Sequence, residues 1–200
     1  MKKPTNTNIW RKDYEAFYKL HADENKPVYA YDWCKKFITE RLPKPTEGYR
    51  PSMVDIGCGD GIWSIVLSDN YKVTGIDNSE QGITNANILA DKYNAKVHFQ
   101  LADILETQQK FEYAFCRGPE FFGGYAPNSE VFQLFKRAVA KLFTKRMYFI
   151  VYSKPPFSRY ANDEKTSYYH DPEVLVEEFS EYGTCSYTYL QNYIVLQINK

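Results

Sequence analysis

Val54-Asp55-Ile56-Gly57-Cys58-Gly59-Asp60-Gly61-Ile62-Trp63 reads VDIGCGDGIW, an apolar run followed by three glycines in five residues. A strand that ends in such a turn can cradle a dinucleotide, a nucleoside triphosphate or another nucleoside cofactor. A P-loop needs Gly-Lys before a hydroxyl residue, and no Gly-Lys pair occurs in the chain. The dinucleotide fingerprint G-x-G-x-x-G, counted from Gly57, puts its last glycine at position 62, which is Ile62. The third glycine is Gly61, so the register is G-x-G-x-G, and this counts against NAD or FAD.

Outward from this loop, strands and helices alternate. Met53–Ile56 reads as a short buried strand, and Ile62, Ile65 and Val66 as the inner face of a helix. Val73–Ile76 is the next strand, followed by a helix from about Ser79, a plausible N-cap, to Tyr93. Lys96–Gln100 and Glu112–Cys116 are further strands. Val131, Leu134, Phe135, Ala138, Val139 and Leu142 mark an amphipathic helix, and Met147–Tyr152 a fully buried strand. Asp171-Pro172 is an N-cap before a first-turn proline, opening a helix to about Tyr182. Thr184–Leu190 and Tyr193–Ile198, separated only by Gln191-Asn192, are a hairpin.

The β-α alternation predicts an α/β fold, with a doubly wound, mainly parallel seven-stranded sheet ending in an antiparallel hairpin. Ahead of it, Trp10, Tyr14, Phe17, Tyr18 and His21 recur at helical spacing. A second helix, expected to start at Pro27, carries Tyr29, Trp33, Phe37 and Ile38 on one face. Pro43-Lys44-Pro45-Thr46-Glu47-Gly48 breaks that helix. Residues 1–50 therefore read as a helical extension or lid, and 51–200 as the main domain, with a single compact domain expected overall.

From about Met53 to Lys200 the chain resembles the class I S-adenosylmethionine-dependent methyltransferases. The resemblance rests on Val54–Gly61, on Asp77 at the end of VTGID, and on Asp103 in Leu101-Ala102-Asp103-Ile104. It implies S-adenosylmethionine as cofactor and a glycine loop of Asp55, Gly57, Cys58, Gly59 and Gly61 around the amino-acid end and ribose. A helix N-terminus behind the loop is expected to favour the cofactor's carboxylate. Asp77 and its neighbour Asn78 match the ribose-binding strand end. Asp103 matches the acid that receives the adenine amino group, with Ile104 against the ring. A lone GxGxG also permits nothing more than a tight turn; the order and strand-end placement of all three features favour the cofactor reading.

Bulk composition narrows the partners. Formal net charge is zero, so the basic footprint of a dedicated nucleic-acid binder is missing and a nucleic-acid partner is disfavoured. No stretch is apolar enough to span a membrane, and MKKPTNTNIW has no signal-peptide hydrophobic region. Cys34, Cys58, Cys116 and Cys185 form no C-x-x-C pair, so neither disulfides nor a metal site is expected and a cytoplasmic setting fits. Nothing in the sequence speaks to oligomeric state.

The acceptor belongs beyond the C-terminal strand ends. One segment there is Cys116-Arg117-Gly118-Pro119-Glu120, which lacks the Asn/Asp-Pro-Pro-aromatic run of enzymes acting on nucleobase amines. Arg117 and Arg159 are candidates to clamp an anionic acceptor, and Glu120 to bind an amine or act as base. His170 is a candidate for proton transfer, against a capping or surface role beside Asp171. His98 is expected to pack, and His21 to be a satisfied core residue unless it joins Tyr14 and Tyr18 in closing over the site. The segment Ser153–His170 has the length of a lid. A small-molecule acceptor, methylated on oxygen or nitrogen, is the expectation. RNA or protein methylation, a non-catalytic binding module and aminopropyl transfer are the alternatives.

Overall fold

The computed structural model describes residues 8–23, 26–153 and 169–200, with the backbone alone for residues 8–14 and 120. These form two compact units, Met1–Thr107 and Gln108–Lys200. One seven-stranded sheet runs through the chain in the order β3-β2-β1-β4-β5-β7-β6.

The first unit contains α1 (Asn8–Asp23), α2 (Tyr31–Arg41), β1 (Ser52–Ile56), α3 (Ile62–Leu67), β2 (Lys72–Asp77), α4 (Glu80–Lys92) and β3 (Val97–Leu101). β1, β2 and β3 are parallel neighbours, with Ile56 beside Ile76 and Asp77 beside Leu101. All six residues of α3 are buried, so it has no outer face. The aromatic face expected after Pro27 does form: Tyr29, Trp33 and Phe37 gather on Trp63 with centroids 5.2–5.8 Å apart. The helix itself begins four residues later than Pro27. Ala30 is extended (φ −65°, ψ 128°), and the amide of Val28 donates to Asp60 at 2.6 Å, drawing this stretch out of the helix.

The second unit contains β4 (Phe111–Arg117), α5 (Glu120–Gly123), α6 (Glu130–Ala140), β5 (Phe143–Tyr152), α7 (Pro172–Phe179), β6 (Thr184–Leu190) and β7 (Tyr193–Asn199). β4 and β5 are parallel; β7 runs antiparallel to both β5 and β6, as the hairpin requires. β5 starts before the expected Met147, because Phe143 pairs with Phe111 and Arg146 with Tyr113 and Asn199, across an irregularity at Thr144-Lys145. The buried stripe of α6 is Phe132, Phe135, Lys136, Val139 and Ala140; of the residues that periodicity marks, Phe135, Val139 and Leu142 are buried, while Val131, Leu134 and Ala138 are half-buried. Lys136 can lie there because its ammonium is held by Glu178 at 2.7 Å and Glu181 at 3.1 Å.

Candidate functional site

The glycine loop is shaped by the end of β2. The amides of Gly57 and Cys58 both donate to the Ile76 carbonyl, at 2.9 and 3.1 Å, and Gly61 donates back to Cys58 at 2.9 Å. Gly57, Gly59 and Gly61 have φ of 69°, 56° and 77°, a left-handed conformation that side chains resist. The three glycines do not serve alike. A Cβ on Gly61 would lie 2.6 Å from Phe99 and 2.7 Å from Ala86, so Gly61 lets α3 sit against β3 and α4. A Cβ on Gly59 would collide with the Tyr18 hydroxyl and ring, so this glycine is covered by α1.

Asp77 closes the loop from below. One carboxylate oxygen accepts the Gly59 amide at 2.8 Å and the other accepts the Ser79 amide at 2.8 Å. Ser79 in turn caps α4 by accepting from Gly82 at 2.9 Å. Asn78, between them, is half-buried, as is Asp77. The Ala102 amide donates to the Asp77 carbonyl at 3.0 Å, bringing Asp103 beside this strand end. Asp103 uses one oxygen in a local turn onto the Leu105 amide at 2.8 Å, and Ile104 is buried. Asp55 in β1, Asp77 at the end of β2 and Asp103 just beyond β3 thus come from three neighbouring parallel strands and their ends.

Residues outside the motif complete the arrangement. From α1, Glu15 accepts the first amides of α4, Glu80 at 2.8 Å and Gln81 at 2.9 Å, while Asn85 donates to the Tyr18 carbonyl at 2.8 Å. The N-terminus of α3, expected to favour a cofactor carboxylate, is only six residues from its end and already faces an acid: Asp60 accepts from Ile62 at 3.4 Å. Asp60 had a visible place in the motif. Nothing local marks Glu15 or Asn85, because their contacts join segments more than 60 residues apart. His21 is half-buried rather than a satisfied core residue: its Nδ1 is enclosed with no hydrogen-bond partner among the described residues, and its ring meets Phe17 edge-on at 4.7 Å. His98 is exposed on the edge strand β3, contrary to the packing expected of it.

Electrostatically the loop is a cluster of acids, and the charge of His21 opposes the rise at Asp60. Asp55 is enclosed at the end of β1 and accepts the Ser64 hydroxyl at 2.5 Å. Burial pushes its carboxyl up to about 7, against the pull of Ser64, and the nearby charges of Asp77 and Asp60 add to the rise. Burial also raises Asp60 and Asp77, each opposed by the amides it accepts, and Glu15 adds to the rise at Asp77. Among the described residues no lysine or arginine forms a salt bridge with Asp55, Asp60 or Asp77. The Cys58 thiol is pushed well up by burial and then by these three acids, which makes it a poor nucleophile.

The acceptor candidates fall in the second unit. Arg117 ends β4, where its guanidinium donates to the Tyr193 hydroxyl at 2.9 Å. Glu120 opens α5. His170 is fully buried, which corrects the capping or surface role: its Nε2 donates to the Phe122 carbonyl at 2.8 Å, and its backbone bridges Ser153. Its neighbour Asp171 is the helix cap, accepting from Glu173 at 3.0 Å. Arg159, the lid segment 154–168 and the side chain of Tyr14 lie outside the described residues.

A family model described as a methyltransferase domain matches residues 50–198. The chain belongs to the class I S-adenosylmethionine-dependent methyltransferases. Among curated proteins, a carboxy-S-adenosyl-L-methionine synthase of Campylobacter curvus is 32% identical over 88 residues, 42% of this chain and 36% of that one. The match therefore spans little more than a third of that relative. Among solved structures, magnesium protoporphyrin IX methyltransferase from Synechocystis, with bound SAH, superposes with a TM-score of 0.69 at 16% identity. That superposition covers 96% of this chain and 99% of the other. The 1,6-didemethyltoxoflavin-N1-methyltransferase of Burkholderia thailandensis gives 0.68 at 17% identity, over 100% and 91%. At such identities the likeness is one of fold.

In this methyltransferase the candidate residues divide between the two units. Asp55, Gly57, Cys58, Gly59, Gly61, Asp77, Asn78, Asp103 and Ile104 share the first, while Arg117, Glu120 and His170 share the second. No helix among the described residues is long and apolar enough to cross a membrane.

Proposed function

We propose that this methyltransferase moves a methyl group from S-adenosylmethionine to an oxygen or nitrogen of a small molecule. The observation that carries the donor half is Asp77, whose two oxygens are aimed by the amides of Gly59 and Ser79 beside Asp103. A carboxylate held this way keeps lone pairs for the two ribose hydroxyls, and Asp103 suits an exocyclic amino group. Asp55, Asp60 and Asp77, raised by burial and in no salt bridge to a lysine or arginine among the described residues, fit a ligand that brings positive charge. When bound, the sulfonium supplies an activated methyl group and a neutral thioether leaving group. The chain then has to hold the acceptor's lone pair in line and exclude water. The C–S bond breaks as a C–O or C–N bond forms, and an amine or hydroxyl acceptor also gives up a proton.

Residues 1–50 act in this reading as an extension that closes the donor side, since Tyr18 covers Gly59 and Glu15 caps α4. Zero net charge supports a compact acceptor over a nucleic acid. Cys34, Cys58, Cys116 and Cys185, none of them in a disulfide, suit a cytoplasmic setting. The test is incubation of the purified chain with methyl-labelled S-adenosylmethionine and a metabolite extract, followed by mass spectrometry. A labelled metabolite heavier by one CH2 is expected. Label confined to RNA or protein would overturn the small-molecule reading, and binding without any turnover would make the chain a sensor module.

A further inference from the structure

Strand register in the second unit gathers a polar aromatic cluster that the donor site does not use. Arg117 pairs with Ile150, Ile150 with Val195, and Tyr152 with Tyr193. Residues two apart on a strand share a face, so Arg117, Ile150, Tyr152, Val195 and Tyr193 project from one side of β4, β5 and β7. Ile150 and Val195 are buried. At the end of this face Arg117, Tyr152 and Tyr193 are half-buried. That end is the C-terminal end of the parallel strands β4 and β5, where open α/β sheets bind ligands.

The cluster is ordered. Besides receiving a hydrogen bond from Arg117, Tyr193 has its ring 5.1 Å from the guanidinium carbon. Tyr152 stacks on Tyr193 with centroids 4.9 Å apart and planes at 30°, and Tyr169 leans on Tyr152 at 6.0 Å. Gly118, at φ 56°, turns the chain immediately after Arg117 while its amide donates to the Ile150 carbonyl at 2.8 Å. Phe122 then packs at 4.7 Å on Phe149, whose place in the register is on the opposite face, which directs the following segment away from the tyrosines.

We infer that Arg117, Tyr152, Tyr169 and Tyr193 form the acceptor subsite and that it takes a planar conjugated carboxylic acid. This assignment rests on the methyltransferase reading above and names the acceptor's class. A guanidinium meets a carboxylate through two parallel hydrogen bonds, and Tyr193 restrains its plane before the ligand arrives. Tyr193 is engaged by Arg117 and Tyr152, so the half-buried rings of Tyr152 and Tyr169 supply the polar-edged surface for a conjugated body. A carboxylate tied to Arg117 is an anchor; the methyl group goes to a separate hydroxyl or amino group on the same ring.

The experiment is calorimetric or NMR titration of the full chain, with and without saturating SAH. The probes are 4-hydroxybenzoate and 2-aminobenzoate, their neutral amides, and cyclohexanecarboxylate. The aromatic acids should bind about tenfold or more tighter than their amides, the size of a lost charge-assisted contact, and tighter than the saturated acid. Arg117→Gln should erase the acid-over-amide preference with SAH affinity unchanged, and Tyr193→Phe should weaken the acids several-fold. Absence of saturable binding by either aromatic acid, equal binding of acid and amide, or a preference that survives Arg117→Gln would overturn the assignment. If Arg117→Gln does not fold, Arg117→Lys and the acid–amide comparison on the native chain decide it. Failure of SAH to bind would strike the donor reading and leave the acid titrations to judge this one.

Discussion

Asp55→Asn should stabilise the protein at pH 8 and lose that advantage by pH 4. Asp55 ends β1 enclosed by the fold, with the Ser64 hydroxyl at 2.5 Å and no salt bridge to a lysine or arginine among the described residues. Burial and the neighbouring Asp77 and Asp60 move its carboxyl from 3.8 to about 7. Between those values the folded chain holds a proton that the unfolded chain has released, so stability falls as pH rises through this window. At 1.36 kcal/mol per unit the interval amounts to about 4 kcal/mol by pH 7 and nothing below pH 4. Asparagine keeps the shape and can accept from Ser64 through its carbonyl, but carries no charge. Its extra N–H bonds need partners, so the realised gain at pH 8 should lie between about 1 and 4 kcal/mol. Urea denaturation of both proteins at pH 5, 6, 7 and 8 measures it, with an unchanged m-value as the check on the unfolded state. A constant difference across that range, or a less stable variant at pH 8, would refute the account of Asp55 as a carboxyl strained by its surroundings.

Asp77→Ala should weaken SAH binding by about 1–3 kcal/mol, the worth of hydrogen bonds to a charged group; calorimetry with unchanged affinity would remove Asp77 from the ribose. Gly59→Val places a β-branched residue at φ 56° against the Tyr18 hydroxyl. It should abolish SAH binding while unfolding stays cooperative, and retained binding would reduce the loop to a turn. Glu15→Gln removes a charge and one acceptor from the first amides of α4, a loss of about 1 kcal/mol. Faster hydrogen exchange in α1 is the readout, and unaltered protection would mean that Glu15 does not hold the helix.

What the sequence carried was whatever depends on neighbours in the chain. Ser79 and Asp171 were legible as caps because a cap is a contact across two or three residues, and both accept the expected amides. Gln191-Asn192 was legible as a turn for the same reason. Asp77 and Asp103 were legible because β-α units deliver one strand end after another to the same edge of a parallel sheet. The misses are tertiary. Pro27 favours a helix start locally, yet the Val28 amide goes to Asp60, 32 residues away. His170 reads as a surface residue beside a cap, until the Phe122 carbonyl, 48 residues back, takes its ring nitrogen. Lys136 breaks an apolar stripe, and only Glu178 and Glu181 make that position tolerable. Periodicity has no access to any of these partners.

The acids around the glycine loop also set how the donor and its product should be told apart. Asp55, Asp60 and Asp77 are all raised by burial, and Asp55 reaches about 7. S-adenosylmethionine carries a sulfonium charge that S-adenosylhomocysteine lacks, and a fixed positive charge interacts better with ionised carboxylates than with protonated ones. As pH falls from 8 towards 5 Asp55 takes up a proton, so the donor should lose affinity faster than the product. The ratio of their affinities should therefore fall with acidification, by several-fold for a coupling of about 1 kcal/mol between Asp55 and the sulfonium. Calorimetric titration of both ligands at pH 5, 6, 7 and 8 gives the ratio directly. Because ribose, adenine and amino-acid contacts are common to the two ligands, they cancel in it. A ratio flat across this range would mean that the buried acids serve the fold and do not sense the sulfonium.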